Sequence, residues 1–115
     1  MAIKFNHKRE ILALKDEFPK YFLKYTLTKI EWGKSFAEND FRDAYISGTE
    51  KDEKLVLSTE ILIGTKRLPV TFIEDIAGAL AIEINGKVIY TVKSRGGISQ
   101  GLLEAFTHSI IEGIR

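Results

Sequence analysis

Apolar side chains recur at helical spacing in the first part of the chain. Pro19 interrupts this pattern, and a proline inside a helix removes a hydrogen bond and clashes with the preceding turn, at a cost of about 3 kcal/mol. We therefore predict a helix that begins at His7, after an Asn6 N-cap, and breaks after Phe18, with Pro19 opening a second short helix. Five residues form the stripe: Ile11, Leu14, Phe18, Tyr21 and Tyr25.

The middle of the chain changes to an alternation of period two, which is typical of half-buried strands. The clearest example is residues 54–63, where Leu55, Leu57 and Ile61 alternate with more polar positions. Pro69 indicates that its strand begins there or lies at a sheet edge, because proline cannot donate to a ladder. We predict strands at residues 25–32, 41–47, 54–63, 68–73, 79–84 and 87–92, with an optional one at 2–5.

The dipeptide Asn85-Gly86 separates the last two predicted strands. It is the preferred sequence of a two-residue type I′ hairpin turn. Such a turn sets the register of the two strands. Three pairs are then expected on one aliphatic face: Ile84 with Lys87, Ile82 with Ile89, and Leu80 with Thr91.

A second helical stripe follows residue 99: Leu102, Leu103, Phe106, Ile110 and Ile114. A meander of hairpins is antiparallel, so the element order predicts an α+β fold. We expect one domain over residues 1–115, with a curved antiparallel meander of about five to six strands. A broken N-terminal helix and an amphipathic C-terminal helix should pack on one sheet face. The order resembles, at the level of topology, helix-grip domains, and that resemblance implies a cavity for an apolar ligand.

Composition narrows the class of protein. The chain of 115 residues is 44% hydrophobic and 29% charged, with a net charge of +1, so no global field attracts nucleic acid or an anionic membrane. It has no cysteine, and its start has no apolar leader segment. We expect a cytoplasmic protein that does not bind membranes. Abundant Ile, Lys and Glu are typical of a low-GC bacterial or phage accessory protein.

A G-x-S-x-G motif spans Gly97 to Gly101 and is formally that of a serine nucleophile elbow. A catalytic triad needs a histidine within about 3 Å of the serine. His108, the histidine that follows Ser99, is nine residues away on the same predicted helix, or roughly 13 Å at 1.5 Å per residue. We therefore expect no catalytic residue and no enzymatic activity.

The strongest candidate site is the basic, glycine-rich segment that joins the last strand to the last helix. Glycines let backbone N–H groups converge at a helix N-terminus, where the dipole favours anions. The alternative is that Gly96 and Gly97 only permit a tight turn and Ser99 only caps the helix. The candidate anion-binding or nucleic-acid-binding residues are Lys87, Lys93, Ser94, Arg95, Gly96, Gly97 and Ser99.

Metal and cofactor sites have little support in the sequence. The two histidines, His7 and His108, are far apart, and there is no cysteine, so no zinc-binding spacing occurs. Glu74 and Asp75 are adjacent and would point to opposite faces of a strand, which makes a poor acid–base pair. We expect neither a metal nor a cofactor.

These observations favour a small non-enzymatic interaction protein, a regulatory, inhibitory or accessory factor that acts through a protein-binding surface. Its partner would be another protein or a second copy of the chain, as a homodimer. Two alternatives remain open. One is anion or nucleic-acid binding at the basic turn of residues 93–97, and the lesser one is binding of an apolar ligand in a helix-grip cavity.

Overall fold

The computed structural model describes residues 7–33, 45–47, 54–75, 78–92 and 100–113, with the backbone alone at 45–47 and 100. The described elements confirm an α+β fold with an antiparallel sheet. In chain order they are α1 (Lys8–Thr26), β1 (Glu31–Trp32), β2 (Tyr45–Ser47), β3 (Lys54–Ile63), β4 (Lys66–Asp75), β5 (Leu80–Ile84), β6 (Lys87–Val92) and α2 (Gln100–Gly113).

The sheet is a meander from β3 to β6, extended at one edge. Its strand order is β1-β3-β4-β5-β6, and every pairing is antiparallel. The short strand β2 also pairs with β3. Trp32 of β1 lies opposite Ile61, whereas Tyr45 of β2 lies opposite Val56. The two short strands therefore share one edge of β3, towards its opposite ends, and the described sheet is five strands wide.

The predicted break in the N-terminal helix is wrong, because α1 runs continuously through Pro19. In a regular helix the N–H of residue 19 would donate to the carbonyl of Lys15. Proline has no N–H, and the indole Nε1 of Trp32 donates to that carbonyl instead, at 2.8 Å. A side chain from β1 thus satisfies an acceptor that the helix itself leaves open.

The predicted strand at residues 25–32 is reduced to Glu31–Trp32, because α1 continues to Thr26. The helix ends at Leu27, which adopts a left-handed conformation with φ of 61° and donates its N–H to the carbonyl of Leu23 at 2.8 Å. This 5→1 bond is the αL helix stop, a position where glycine is usual. The alternation at residues 25–28 therefore does not form a strand, because the last turn of α1 and its cap occupy residues 25–27.

Pro69 does not mark a strand start or an edge, because β4 begins at Lys66 and lies between β3 and β5. The carbonyl of Pro69 accepts the N–H of Asn85 at 3.0 Å. In an antiparallel strand the N–H and C=O of one residue face the same neighbour. The N–H that proline lacks would therefore point towards Asn85, just beyond the last β4–β5 pair, Val70–Ile84. The β3–β4 ladder loses no hydrogen bond.

The Asn85-Gly86 turn is confirmed, with positive φ at both residues, 55° and 79°, as a type I′ turn requires. The pairs Ile84–Lys87 and Glu83–Val88 follow the predicted register. Beyond them the register shifts between Ile82 and Glu83, so that the partners are Ile82 with Tyr90, Ala81 with Thr91, and Leu80 with Val92. The predicted pairing of Ile82 with Ile89 is wrong because β6 carries an extra residue there, a β-bulge.

Both helices pack on the same face of the sheet, as expected. The row Leu57–Phe72–Ile82 crosses three strands in register and belongs to one buried cluster that also contains residues of both helices. Phe18 of α1 and Phe106 of α2 meet edge to face, with ring centroids 4.6 Å apart. The two helices therefore share one core over the sheet.

Neither α1 nor α2, the helices of the described part of the chain, is both long and apolar enough to span a bilayer.

Candidate binding groove between the two helices

An open groove of about 470 Å³ runs between α1 and α2. We call it the interhelical groove. Its α1 wall carries Tyr21 and Tyr25, and the residues on its α2 wall include Glu104, Ala105 and His108. Its volume lies in the range of about 300–1,000 Å³ that is usual for binding pockets.

The α1 wall is a pair of parallel tyrosine rings. Tyr21 and Tyr25 are one helical turn apart, with ring centroids separated by 6.1 Å and planes inclined by 4°. Tyr21 packs against the core, but Tyr25 is 68% exposed. The prediction that Tyr25 belongs to the buried stripe is therefore wrong. Core burial on this face ends at Phe22, and the next aromatic faces the groove.

The α2 wall is acidic. Glu104 and His108 are one turn apart and exposed, and His108 Nε2 lies 3.1 Å from Glu112 Oε1 one turn further on. Residues 100–113 contain neither lysine nor arginine. Ala105 and Gly101 are small, and both line the groove. This wall thus has an acidic side chain and, beside the tyrosines, small side chains.

Thr107 also lines the interhelical groove, but its side chain is only 3% exposed. Its Oγ1 is buried and has no hydrogen-bond partner among the described residues. A buried hydroxyl without a partner costs about 1–3 kcal/mol. The groove therefore has an unsatisfied polar atom beneath its surface.

A second groove, of about 620 Å³, lies on the other side of α2 against the β5–β6 hairpin. Lys87, Val88 and Ile89 form its hairpin side, and it shares Ala105 and His108 with the interhelical groove. We call it the hairpin groove. The outward face of α2 is thus bordered by an aromatic groove on one side and by a groove with a lysine on the other.

Of the predicted anion-site residues, the structure places Lys87, which is exposed and lines the hairpin groove. The order of a strand followed by a helix is confirmed, because β6 ends at Val92 and α2 begins at Gln100. Ser99 lies outside the described residues, so its predicted distance from His108 stays a prediction. The other candidates lie outside the described residues: Lys93, Ser94, Arg95, Gly96, Gly97 and Ser99.

A buried polar cluster at the start of α1 was not predicted. The backbone N–H of His7 donates to Glu74 Oε1 at 2.9 Å, and His7 Nε2 donates to the carbonyl of Gly78 at 2.7 Å. His7 and Glu74 are 1% and 3% exposed. The Glu74 carboxylate thus lies at the positive end of α1, where negative charge is favourable. No local pattern signals this contact, since the two residues are 67 positions apart.

The cluster joins the start of α1 to the segment between β4 and β5. Asp75 Oδ1 accepts the N–H of Ala79 at 2.9 Å, which closes the turn between β4 and β5. His7 and Glu74 then attach the start of α1 to that turn. Within the described residues, no group of three or more His, Cys, Asp or Glu side chains is arranged to hold a metal ion.

Large aromatic side chains pack between the helices and the sheet. Phe18, Phe22, Phe72 and Phe106 are each at most 1% exposed and belong to the same cluster. Open grooves are described at the surface on both sides of α2, and the helix-grip cavity stays a prediction.

No protein-family model, curated protein or solved structure matches the chain.

Proposed function

We propose that the protein is a small non-enzymatic interaction protein that binds a partner protein through the interhelical groove. The observation that carries this proposal is Tyr25, a residue that is 68% exposed although its ring lies parallel to that of Tyr21. Parallel stacking at helical i,i+4 spacing gives the ring a defined orientation. Tyr25 thus supplies a rigid apolar surface that the fold itself does not bury.

Tyrosine suits this role on energetic grounds. It offers a large contact area at little cost in side-chain entropy, and it is enriched among the residues that dominate binding energy at protein interfaces. The small residues Gly101 and Ala105 opposite the tyrosines leave room for a side chain or a helix of the partner. The groove therefore has an aromatic anchor beside an accessible depression.

Other described surfaces differ from the interhelical groove. On the sheet face away from the helices, Ser58, Thr71 and Glu83 form a polar row beside the apolar row of Val56, Ile73 and Ala81. Leu23, Leu27 and Val88 are exposed, but none of them lines the interhelical groove. Single exposed apolar residues of this kind are common on protein surfaces. The tyrosine pair differs because its rings are ordered against each other within a concave surface.

The test is a selection of phage-displayed random peptides on the immobilised protein, followed by affinity measurements on two variants. Tyr25→Ala should weaken the selected peptides by about tenfold or more, as expected for an interface anchor. Leu23→Ala is the matched control, since Leu23 is exposed on the same helix but outside the groove. The proposal would be refuted by peptides that bind the Tyr25→Ala variant as tightly as the unmodified protein. Peptides that lose as much affinity for the Leu23→Ala variant would also refute it.

Oligonucleotide binding at low and moderate salt tests the competing function. The Lys87 ammonium is exposed, and neutralised phosphates would make such binding weaken steeply with salt. If oligonucleotides bind and a Lys87→Ala, Lys93→Ala, Arg95→Ala variant loses that binding while Tyr25→Ala retains it, the basic turn is the functional site. Absence of oligonucleotide binding would refute nucleic-acid binding at the basic turn.

A further inference from the structure

The loop of the β5–β6 hairpin consists of Asn85 and Gly86, which are both exposed. An asparagine that precedes a glycine can cyclise, because glycine has no side chain that hinders attack by its backbone nitrogen on the asparagine carboxamide. We propose that Asn85 is a site of spontaneous deamidation and isoaspartate formation. The resulting change falls on the hairpin groove, so it is independent of the function proposed for the interhelical groove.

The attacking atom is the backbone nitrogen of Gly86. Ile84 and Lys87 flank the loop and form the first pair of the hairpin ladder, whereas Gly86 donates no backbone hydrogen bond among the described residues. A Cβ built on Gly86 would have no heavy atom within 4 Å beyond its own chain neighbours. The described backbone therefore leaves this nitrogen unpaired, in open surroundings.

The reaction needs no reagent besides water. A bond forms between the Gly86 nitrogen and Asn85 Cγ, and the Cγ–Nδ2 bond breaks. The amide nitrogen leaves as ammonia and takes with it the proton that the Gly86 nitrogen loses. Water then opens the succinimide ring at either carbonyl, which gives aspartate or isoaspartate. Both products carry a new negative charge, and isoaspartate also has an additional main-chain carbon, which does not fit a two-residue type I′ loop.

The Asn85 carboxamide lies beside the last residue of α2. A Cβ built on Gly113 would meet Asn85 Nδ2 at 3.3 Å, and both residues line the hairpin groove together with Glu112. A carboxylate here adds negative charge at the C-terminal end of a helix, where the dipole is also negative. Lys87 lines the same groove and opposes this effect, so the added main-chain carbon of isoaspartate should be the larger change. We expect it to weaken the contact between the hairpin and α2.

The experiment incubates the intact protein at neutral and at mildly alkaline pH, followed by peptic digestion in acid and peptide mass mapping. We expect the Asn85 peptide to lose its unmodified form progressively and to gain the mass that replacement of –NH2 by –OH adds. The loss should be faster at the higher pH, because the attacking nitrogen must give up its proton. Asn6 and Asn39 are internal controls, since neither precedes a glycine. If the Asn85 peptide converts no faster than theirs, the proposal is overturned.

The isoaspartate form is then separated by ion exchange and compared with two variants. Asn85→Asp carries the new charge without the added main-chain carbon, and Asn85→Gly keeps an accepted type I′ sequence without a carboxamide. Amide hydrogen exchange in β5 and β6 should be several-fold faster in the isoaspartate form than in fresh protein, and only slightly faster in Asn85→Asp. The corresponding Asn85→Gly peptide should keep its mass on incubation. Unchanged exchange in the isoaspartate form would overturn the effect on the hairpin.

Discussion

The indole nitrogen of Trp32 donates a hydrogen bond of 2.8 Å to the carbonyl of Lys15. That carbonyl has no helical donor, because Pro19, four residues later in α1, has no backbone N–H. The contact links β1 to the middle of α1. It also places the indole ring beside the Phe18 ring, with centroids 6.4 Å apart. The helix thus tolerates its proline because the sheet supplies the missing donor.

This relationship predicts a compensating pair of mutations. Trp32→Phe should lower the free energy of unfolding by about 1–3 kcal/mol more than the loss of ring area requires, because the Lys15 carbonyl loses its donor. In a Pro19→Ala background the backbone N–H of residue 19 restores a partner. The Trp32→Phe penalty should then shrink by about 1 kcal/mol in a double-mutant cycle measured by urea denaturation. Additive effects would show that the two residues are not coupled through Lys15.

The contact between Glu74 and the start of α1 predicts a local effect. Glu74→Ala leaves the His7 N–H without its acceptor at 2.9 Å, and a buried donor of this kind costs about 1–3 kcal/mol. Hydrogen exchange at the His7 amide should accelerate by more than exchange in β3. Glu74→Gln, which keeps an acceptor oxygen, should lose less protection. Equal protection at His7 in both variants would contradict the assigned role.

The unpartnered hydroxyl of Thr107 predicts a stabilising substitution. Thr107→Val keeps the shape of the side chain and removes a buried polar atom that has no partner among the described residues. We expect the free energy of unfolding to rise by about 1 kcal/mol. Thr91→Val serves as the control, because Thr91 is exposed and its hydroxyl is not buried. A loss of stability in Thr107→Val would mean that the hydroxyl is hydrogen-bonded.

The left-handed residue that ends α1 predicts a second stabilising change. Leu27 has φ of 61° and is 86% exposed, so its side chain adds little packing while its backbone conformation costs about 1 kcal/mol. Leu27→Gly should raise the melting temperature. Leu23→Gly lies in the last turns of the same helix without a positive φ and should lower it, by about 1 kcal/mol in stability. If both variants are destabilised, the strain assigned to Leu27 is absent.

Short-range patterns predicted most elements of the described fold. The alternation at residues 54–63, the Asn85-Gly86 turn and the stripe of Leu102, Phe106 and Ile110 all correspond to observed elements. In each case the relevant geometry repeats within a few residues, so the chain carries the signal locally. The α+β class follows from the order of those elements.

The errors occur where a distant residue changes the cost of a local feature. Pro19 indicated a break in the helix. The structure has none, because Trp32, 17 positions from Lys15, donates to the Lys15 carbonyl. Pro69 indicated an edge, yet its missing N–H faces the end of a ladder at Asn85. Local sequence rules estimate the energetic cost of a feature without the contacts that distant residues make to it.

The candidate groove could not be read from the sequence for the same reason. Tyr25 continues the periodic stripe of α1, and periodicity alone predicts that it is buried. Glu104 is about eighty positions away, on a helix whose own pattern only shows which face is apolar. The amino-acid order therefore establishes the elements and their buried stripes. The packing of both helices on one sheet face establishes where that burial ends, and so leaves Tyr25 exposed beside Glu104.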